Sequence, residues 1–294
     1  MQHKLPDGRV LAYQEYGDLH GRPVFFFHGT PGSRLFRPPD EVTGSLGIRL
    51  ICVDRPGYGG STFLPRRQIL DWPKDVSALA DALGIHTFAV AGHSGGGPYA
   101  LACAYCLPER VPAAVILSGA GPVDAPGAVE GLTPLHALAF RIGKYSPWWL
   151  TRTLTWLFFR KSAADPARAM DLDARDRSAA DEEVLRIPGV RENCIESDIE
   201  AYKQGLTGFA WEVRLLTRPW KFDLEKITVP VYLWHGTQDD FTTVSMARYI
   251  SEKIPNCNAH IYKEEGHMLL IPHWKEVLST LMKSSIEISG VTSM

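Results

Sequence analysis

A mostly parallel β-sheet covered by helices on both faces is the fold that this chain predicts, and three patterns predict it. Short apolar runs alternate with helical segments through the first 117 residues, the order expected of an α/β protein. Two of these runs, Pro23–Phe27 and Arg49–Val53, are almost continuously apolar, as strands buried on both faces are. The alternation then stops. From about Gly121 to Pro219 only helical signals appear, and a strand returns at Val229–His235. With 294 residues the chain can bury one large core. Residues 1–122 and 219–294 read as two parts of that core, and residues 123–218 as a helical cap inserted between them.

Taken in order, Arg9–Tyr16 follows the Asp7-Gly8 turn and reads as an antiparallel edge strand. Asp71 precedes a helix that closes at Gly84, which makes it an N-cap and the glycine a C-terminal stop. Thr87–Ala91 is a strand, Pro98–Leu107 a helix and Val111–Leu117 the next strand. Within the cap, Ser146-Pro147 is a cap and first-turn pair opening the aromatic segment Trp148–Phe159. Asp165-Pro166 and Ser178 with Asp181 open two more helices, and Ile195–Thr217 reads as another.

The chemistry is concentrated at Gly92-His93-Ser94-Gly95-Gly96, which joins a strand to a helix. A G-x-S-x-G turn of this kind is so sharp that its serine sits in strained backbone, with the hydroxyl lifted to the tip of the sheet. A serine is a nucleophile only if a base takes its proton and a third group holds the base. Asp239 follows the strand 229–235, and His267 follows the strand Ala259–Tyr262. Both are strand-end positions from which side chains reach the same rim of the sheet.

These motifs together resemble the α/β-hydrolase fold family. His28-Gly29-Thr30-Pro31-Gly32 is similar to its H-G-x-P-G loop, and residues 54–61 to its D-x-P-G-x-G-x-S loop. The serine, aspartate and histidine follow in the family's order. The resemblance implies Ser94 as nucleophile, His267 as base and Asp239 as the acid that orients it. It also implies an oxyanion hole from the backbone N–H groups of Gly95 and Thr30, to which the Thr30 hydroxyl could add a donor. Asp124, after the strand that follows the nucleophile, is the alternative acid used by some members. Asp240 reads as solvated. His28, His260 and His273 are left as structural, His93 as packing beside the turn, and Tyr58 as a minor pocket candidate. No metal or organic cofactor is implied.

Trp148 and Trp149 are candidates for lining an apolar substrate pocket. Their helix could equally hold the cap to the core, or touch a membrane interface through Arg152, Arg160 and Lys161. The expected reaction is hydrolysis of a carboxylic ester or lactone through an acyl-serine. Carbon–carbon bond hydrolysis, perhydrolysis, aminopeptidase action, acyl transfer and ligand reception without turnover stay open. Dehalogenase and epoxide hydrolase chemistry are disfavoured, since those members carry aspartate where Ser94 stands. Thr30 departs from the H-G-G-P-G of the family's aminopeptidases and weakens the peptide reading.

A net charge of −2 with mixed signs offers no stripe for nucleic acid. The N-terminus lacks an apolar signal region, and no stretch approaches the roughly 20 apolar residues of a membrane span, so no stable membrane insertion is expected. Five irregularly spaced cysteines and the lack of an N-x-[ST] sequence suggest a reducing, cytoplasmic setting. Cys103 and Cys106 read as packing residues. The expected partner is a small-molecule substrate; the oligomeric state is left open.

Overall fold

The computed structural model describes residues 1–130, 132, 134–174 and 177–291. Eight strands form one sheet. They are β1 (Gln2–Lys4), β2 (Val10–Gly17), β3 (Arg22–Phe27), β4 (Ile48–Val53), β5 (Ala89–His93), β6 (Ala114–Leu117), β7 (Val231–Gly236) and β8 (Cys257–Tyr262), in spatial order β1-β2-β4-β3-β5-β6-β7-β8. β1 and β2 are antiparallel; from β4 to β8 every neighbouring pair is parallel. β2 is therefore the second strand rather than the edge, a place taken by the short β1, whose polar sequence gives no strand period.

Side chains alternate across the buried strands. Phe25, Phe27, Ile51, Val53 and Val90 point to one face, where they meet helices α2 (Trp72–Ala82) and α3 (Gly97–Cys106). Val24, Phe26, Leu50, Cys52 and Ala91 point to the other, toward Leu269 and residues 270–281 of the last helix. A period of two with both phases apolar is what a sheet covered on both sides demands. Helix α1 (Asp40–Ser45) precedes β4.

All described secondary structure between β6 and β7 is helical: α4 (Pro134–Tyr145), α5 (Trp148–Ala164), α6 (Pro166–Asp173), α7 (Ala179–Leu185), α8 (Val190–Ala201) and α9 (Thr207–Leu216). α10 (Val244–Lys253) and α11 (Leu270–Val291) complete the chain. Asp165 and Ser178 cap α6 and α7 as expected, accepting from Arg168 N at 3.0 Å and Asp181 N at 3.2 Å. Ser146 does not cap α5. Pro147 takes that position, and the Ser146 carbonyl accepts from Arg214 instead. Asp71 stands at the N-cap of α2 as expected, but its carboxylate makes no capping bond there, because it accepts from Gln68 N and closes the preceding 3-10 turn. The single helix expected over 195–217 is two. It breaks at Gly205, whose φ of +82° suits glycine, while the Gln204 amide donates to the carbonyls of Gly59 and Ser61 at 2.7 and 2.9 Å.

β5 ends where strand and helix nearly touch. A Cβ at Gly92 would stand 2.4 Å from the Gly96 carbonyl oxygen, which is backbone and has nowhere to move. Gly92→Ala is expected to cost about 3 kcal/mol through overpacking. Urea unfolding would show a lowered midpoint with an unchanged m-value.

Candidate active site

The loops that follow β3, β4, β5, β6, β7 and β8 all lie at the carboxyl end of the parallel sheet. The order of strands reverses between β3 and β5, the place where open α/β sheets leave a crevice for ligands. Ser94 directly follows β5 at that place, half-buried, with φ at +54°. A residue with a Cβ pays for that left-handed backbone, so the turn is held by its surroundings rather than by preference. The Ser94 carbonyl accepts from Ala120 N at 3.0 Å, which ties the turn to the end of β6.

His267 is buried, and its ring is gripped on two sides. His93 and Phe241 each place their ring centroid 4.9 Å from it. His93 Nε2 also lies 3.2 Å from the His267 carbonyl, so the residue before Ser94 packs directly on the histidine, as expected for a residue beside the turn. Burial lowers the His93 pKa to about 3, which keeps that ring neutral.

Asp239 is the acid that meets His267. Its oxygens lie 2.9 and 2.8 Å from His267 Nδ1. Three further donors hold the carboxylate: Phe241 N at 3.0 Å, Thr242 N at 2.9 Å and the Thr242 hydroxyl at 2.8 Å. Burial opposes ionisation of Asp239, but the facing imidazole and these donors outweigh it and hold the carboxyl at about 2. Asp124 is exposed, and a solvated carboxylate there makes no comparable pair. Asp240 is half-buried rather than solvated, and burial pushes its carboxyl up.

Burial disfavours the charged form of His267, yet the Asp239 carboxylate more than compensates and lifts its pKa above 6.5. Activity that needs the neutral imidazole should therefore rise with pH through a midpoint above 6.5. A profile of kcat/KM against pH checks this, and a midpoint below 6.5 contradicts it. For stability the sign follows from Asp239. A carboxyl at about 2 in the fold and 3.8 unfolded stabilises the protein above pH 4. That contribution, about 2 kcal/mol, is lost as pH falls toward 2.

Thr30 and Gly95 face each other. A Cβ on Gly95 would come 2.2 Å from Thr30 Oγ1 and 3.1 Å from Leu216 Cδ1. Among the described residues, no turn or loop carbonyl accepts the backbone N–H of Thr30 or Gly95. Gly95 follows the serine at the start of a helix whose dipole adds positive potential.

The two tryptophans do not sit together. Trp148 is half-buried and packs edge-on against Trp211 at 4.7 Å, whereas Trp149 is 67 % exposed on the outside of α5. A side chain that open encloses nothing, so Trp149 is withdrawn as a pocket residue. The buried positions of α5 are Thr151 and Thr155, not its aromatic residues. Tyr58 is fully buried against Phe209 and lines no open space. His28 is buried with Nδ1 2.8 Å from the Gly29 carbonyl, and His260 stacks on Trp234. His273 lies between Glu265 and Glu276. Cys103 is buried as expected, but Cys106 is exposed.

A sequence model of the alpha/beta hydrolase fold matches residues 22–273. The chain belongs to that family. Over 284 residues it is 25 % identical to a 2-hydroxymuconate semialdehyde hydrolase of Pseudomonas putida, covering 90 % of this chain and 88 % of that one. A stretch of 115 residues is 36 % identical to a proline iminopeptidase of Xylella fastidiosa, spanning only 35 % of that protein. Among solved structures, an enol-lactonase of Burkholderia xenovorans superposes with a TM-score of 0.70 at 17 % identity, covering 97 % of this chain and all of that one. The α/β-hydrolase fold is thereby established, and these relatives support a hydrolase. No described helix is long and apolar enough to cross a membrane.

Three contacts of this site escaped the sequence, all made by the helical insertion. Asp181 of α7 accepts from the backbone N–H groups of His267 and Met268 at 3.0 and 2.7 Å. Glu212 of α9, fully buried, lies between Arg55 and Arg67. Glu200 of α8 pairs with Arg34, which also binds Asp54. In sequence these carboxylates look like the ordinary polar faces of helices. Only Asp181 carried a signal, as the residue three beyond a capping serine.

Proposed function

We propose that this α/β hydrolase cleaves a carboxylic ester or lactone of a small apolar substrate through an acyl-Ser94 intermediate. The observation that carries the reading is the His267–Asp239 pair, packed on His93 beside a serine at φ +54°. In this scheme His267 takes the Ser94 proton as the hydroxyl attacks the carbonyl carbon. The N–H groups of Thr30 and Gly95 receive the developing oxyanion, and His267 returns the proton to the leaving alcohol. Water then repeats the sequence in reverse and frees the acid. Residues 123–218 serve as a cap over the site, and Trp148 is the aromatic residue of that cap assigned to the substrate. The free thiols fit a cytoplasmic setting.

The test is a panel of p-nitrophenyl esters of rising acyl length with aryl esters and lactones, run beside labelling by a fluorophosphonate. Labelling lost in Ser94→Ala, with turnover of at least one ester series, supports the reading. A folded protein that neither labels nor turns over any of them rejects it. The second reading is carbon–carbon bond hydrolysis on the same three residues. The relative matched over nearly its full length, 2-hydroxymuconate semialdehyde hydrolase, favours it. Turnover of a ring-fission product with esters left untouched would select that reading.

A further inference from the structure

Beneath the loop that carries Thr30 lies a cluster of three buried charges. Arg55 is fully buried, and both terminal nitrogens of its guanidinium are engaged by the loop. Nη1 donates to the His28 carbonyl; Nη2 donates to the Gly29 carbonyl and to the Thr30 hydroxyl oxygen, both at 2.8 Å. Its remaining nitrogen, Nε, forms an ion pair with Glu212 Oε1 at 3.0 Å without hydrogen-bond geometry. The other oxygen of Glu212 faces Arg67, which donates to Tyr99 at 2.6 Å. Burial opposes the charge on Glu212, but the two guanidiniums outweigh it and keep the carboxyl ionised. Arg55, Glu212 and Arg67 therefore bring a net positive charge into the interior directly under the loop.

The hydroxyl of Thr30 has one proton and two lone pairs. Since Arg55 Nη2 fills a lone pair, the proton must point elsewhere, and among the described residues no acceptor takes it. Gly95 is a close neighbour of that oxygen, as the 2.2 Å approach of a notional Cβ shows. Glu212 belongs to α9, which also brings Leu216 against Gly95. Along the chain the acid stands 145 residues from Arg67, so the helical insertion, not the core, supplies the negative charge that seats both arginines.

We propose that the Thr30 hydroxyl is a third oxyanion donor, aimed by Arg55, and that Glu212 is a positioning residue acting on it from the insertion. This rests on the serine-hydrolase reading of the site. No step is added to the reaction: the hydroxyl keeps its proton and only shares it with the carbonyl oxygen while that oxygen is negative. The insertion then takes part in transition-state stabilisation as well as in covering the site.

The experiment measures the burst rate with a p-nitrophenyl ester and the fluorophosphonate labelling rate in Thr30→Val, Thr30→Ser, Glu212→Gln and the double variant Thr30→Val/Glu212→Gln. Thr30→Val is expected to slow both rates 10- to 100-fold, roughly the range for one oxyanion donor, with KM within about twofold. Thr30→Ser, which keeps a hydroxyl, should recover to within about threefold. Glu212→Gln should slow the burst about tenfold in the native background and hardly at all once Thr30 is valine, because its route is already cut. Equal losses from Glu212→Gln in both backgrounds, or a Thr30→Val enzyme as fast as the native one, overturn the proposal. Should Glu212→Gln fail to fold, Arg55→Lys takes its place in the same cycle; it keeps the ion pair and loses the fork. A native protein that never labels overturns the parent reading and this one with it, whereas a labelled native protein indifferent to Thr30→Val overturns this one alone.

Discussion

Ser94→Ala is expected to lower kcat by a factor of about 10⁵ to 10⁶ while leaving the fold intact. The loss is that large because Ser94 supplies the bond-forming atom, so the substrate left in the crevice meets only a base without a proton to move. Stability should hardly change. Alanine keeps a Cβ at φ +54°, so the backbone strain remains, and the hydroxyl it removes has no hydrogen-bond partner among the described residues. Thermal unfolding within about 2 °C of the native protein, together with lost turnover, is the expected pair of results. Activity within a hundredfold of native would mean that another residue attacks.

Asp239→Asn should cost about 10⁴ in kcat, and the reason can be traced atom by atom. Oδ1 accepts two backbone N–H groups, from Phe241 and Thr242, so the asparagine oxygen must take that place. Its NH₂ then faces the Thr242 hydroxyl and His267 Nδ1. The hydroxyl adapts without loss, since its proton can go to the Ser118 carbonyl at 2.9 Å while its lone pair accepts from the amide. The histidine cannot adapt. It must present Nδ1 as an acceptor and carry its proton on Nε2, the nitrogen that should receive the proton of Ser94. A correctly folded protein in the wrong tautomer is the predicted outcome. Imidazole nitrogen shifts in an NMR spectrum would show it, and the midpoint of the pH profile should fall with removal of the carboxylate charge. Near-native turnover would show that the acid lies elsewhere.

What is legible in the chain alone is what short stretches determine. Strand period, the glycine-flanked serine and the strand-end positions of Asp239 and His267 are local or follow a fixed order, and each stands where expected. The exposed aromatic residues of α5 were not legible, because apolar character says that a face wants cover without saying whether the core provides it. Trp149 lies in the open while two threonines of the same helix are buried. Nor was the break at Gly205 evident, since the carbonyls that hold Gln204 belong to the distant loop after β4. Glu212 shows the difficulty most plainly: a glutamate in a helix reads as a solvated side chain until two arginines from another part of the chain are placed around it.

The hold of Asp181 on the loop after β8 bears on protein engineering. Exchanging the helical segment for that of a relative is an attractive way to alter what the enzyme accepts. In this molecule such a graft would remove the carboxylate that receives the amides of His267 and Met268, and would leave those amides stranded in the interior. A transplanted segment must therefore bring an acid to the same spot, against Gly266, where a Cβ would stand only 2.5 Å from that carboxylate. The roof and the proton carrier are inherited together.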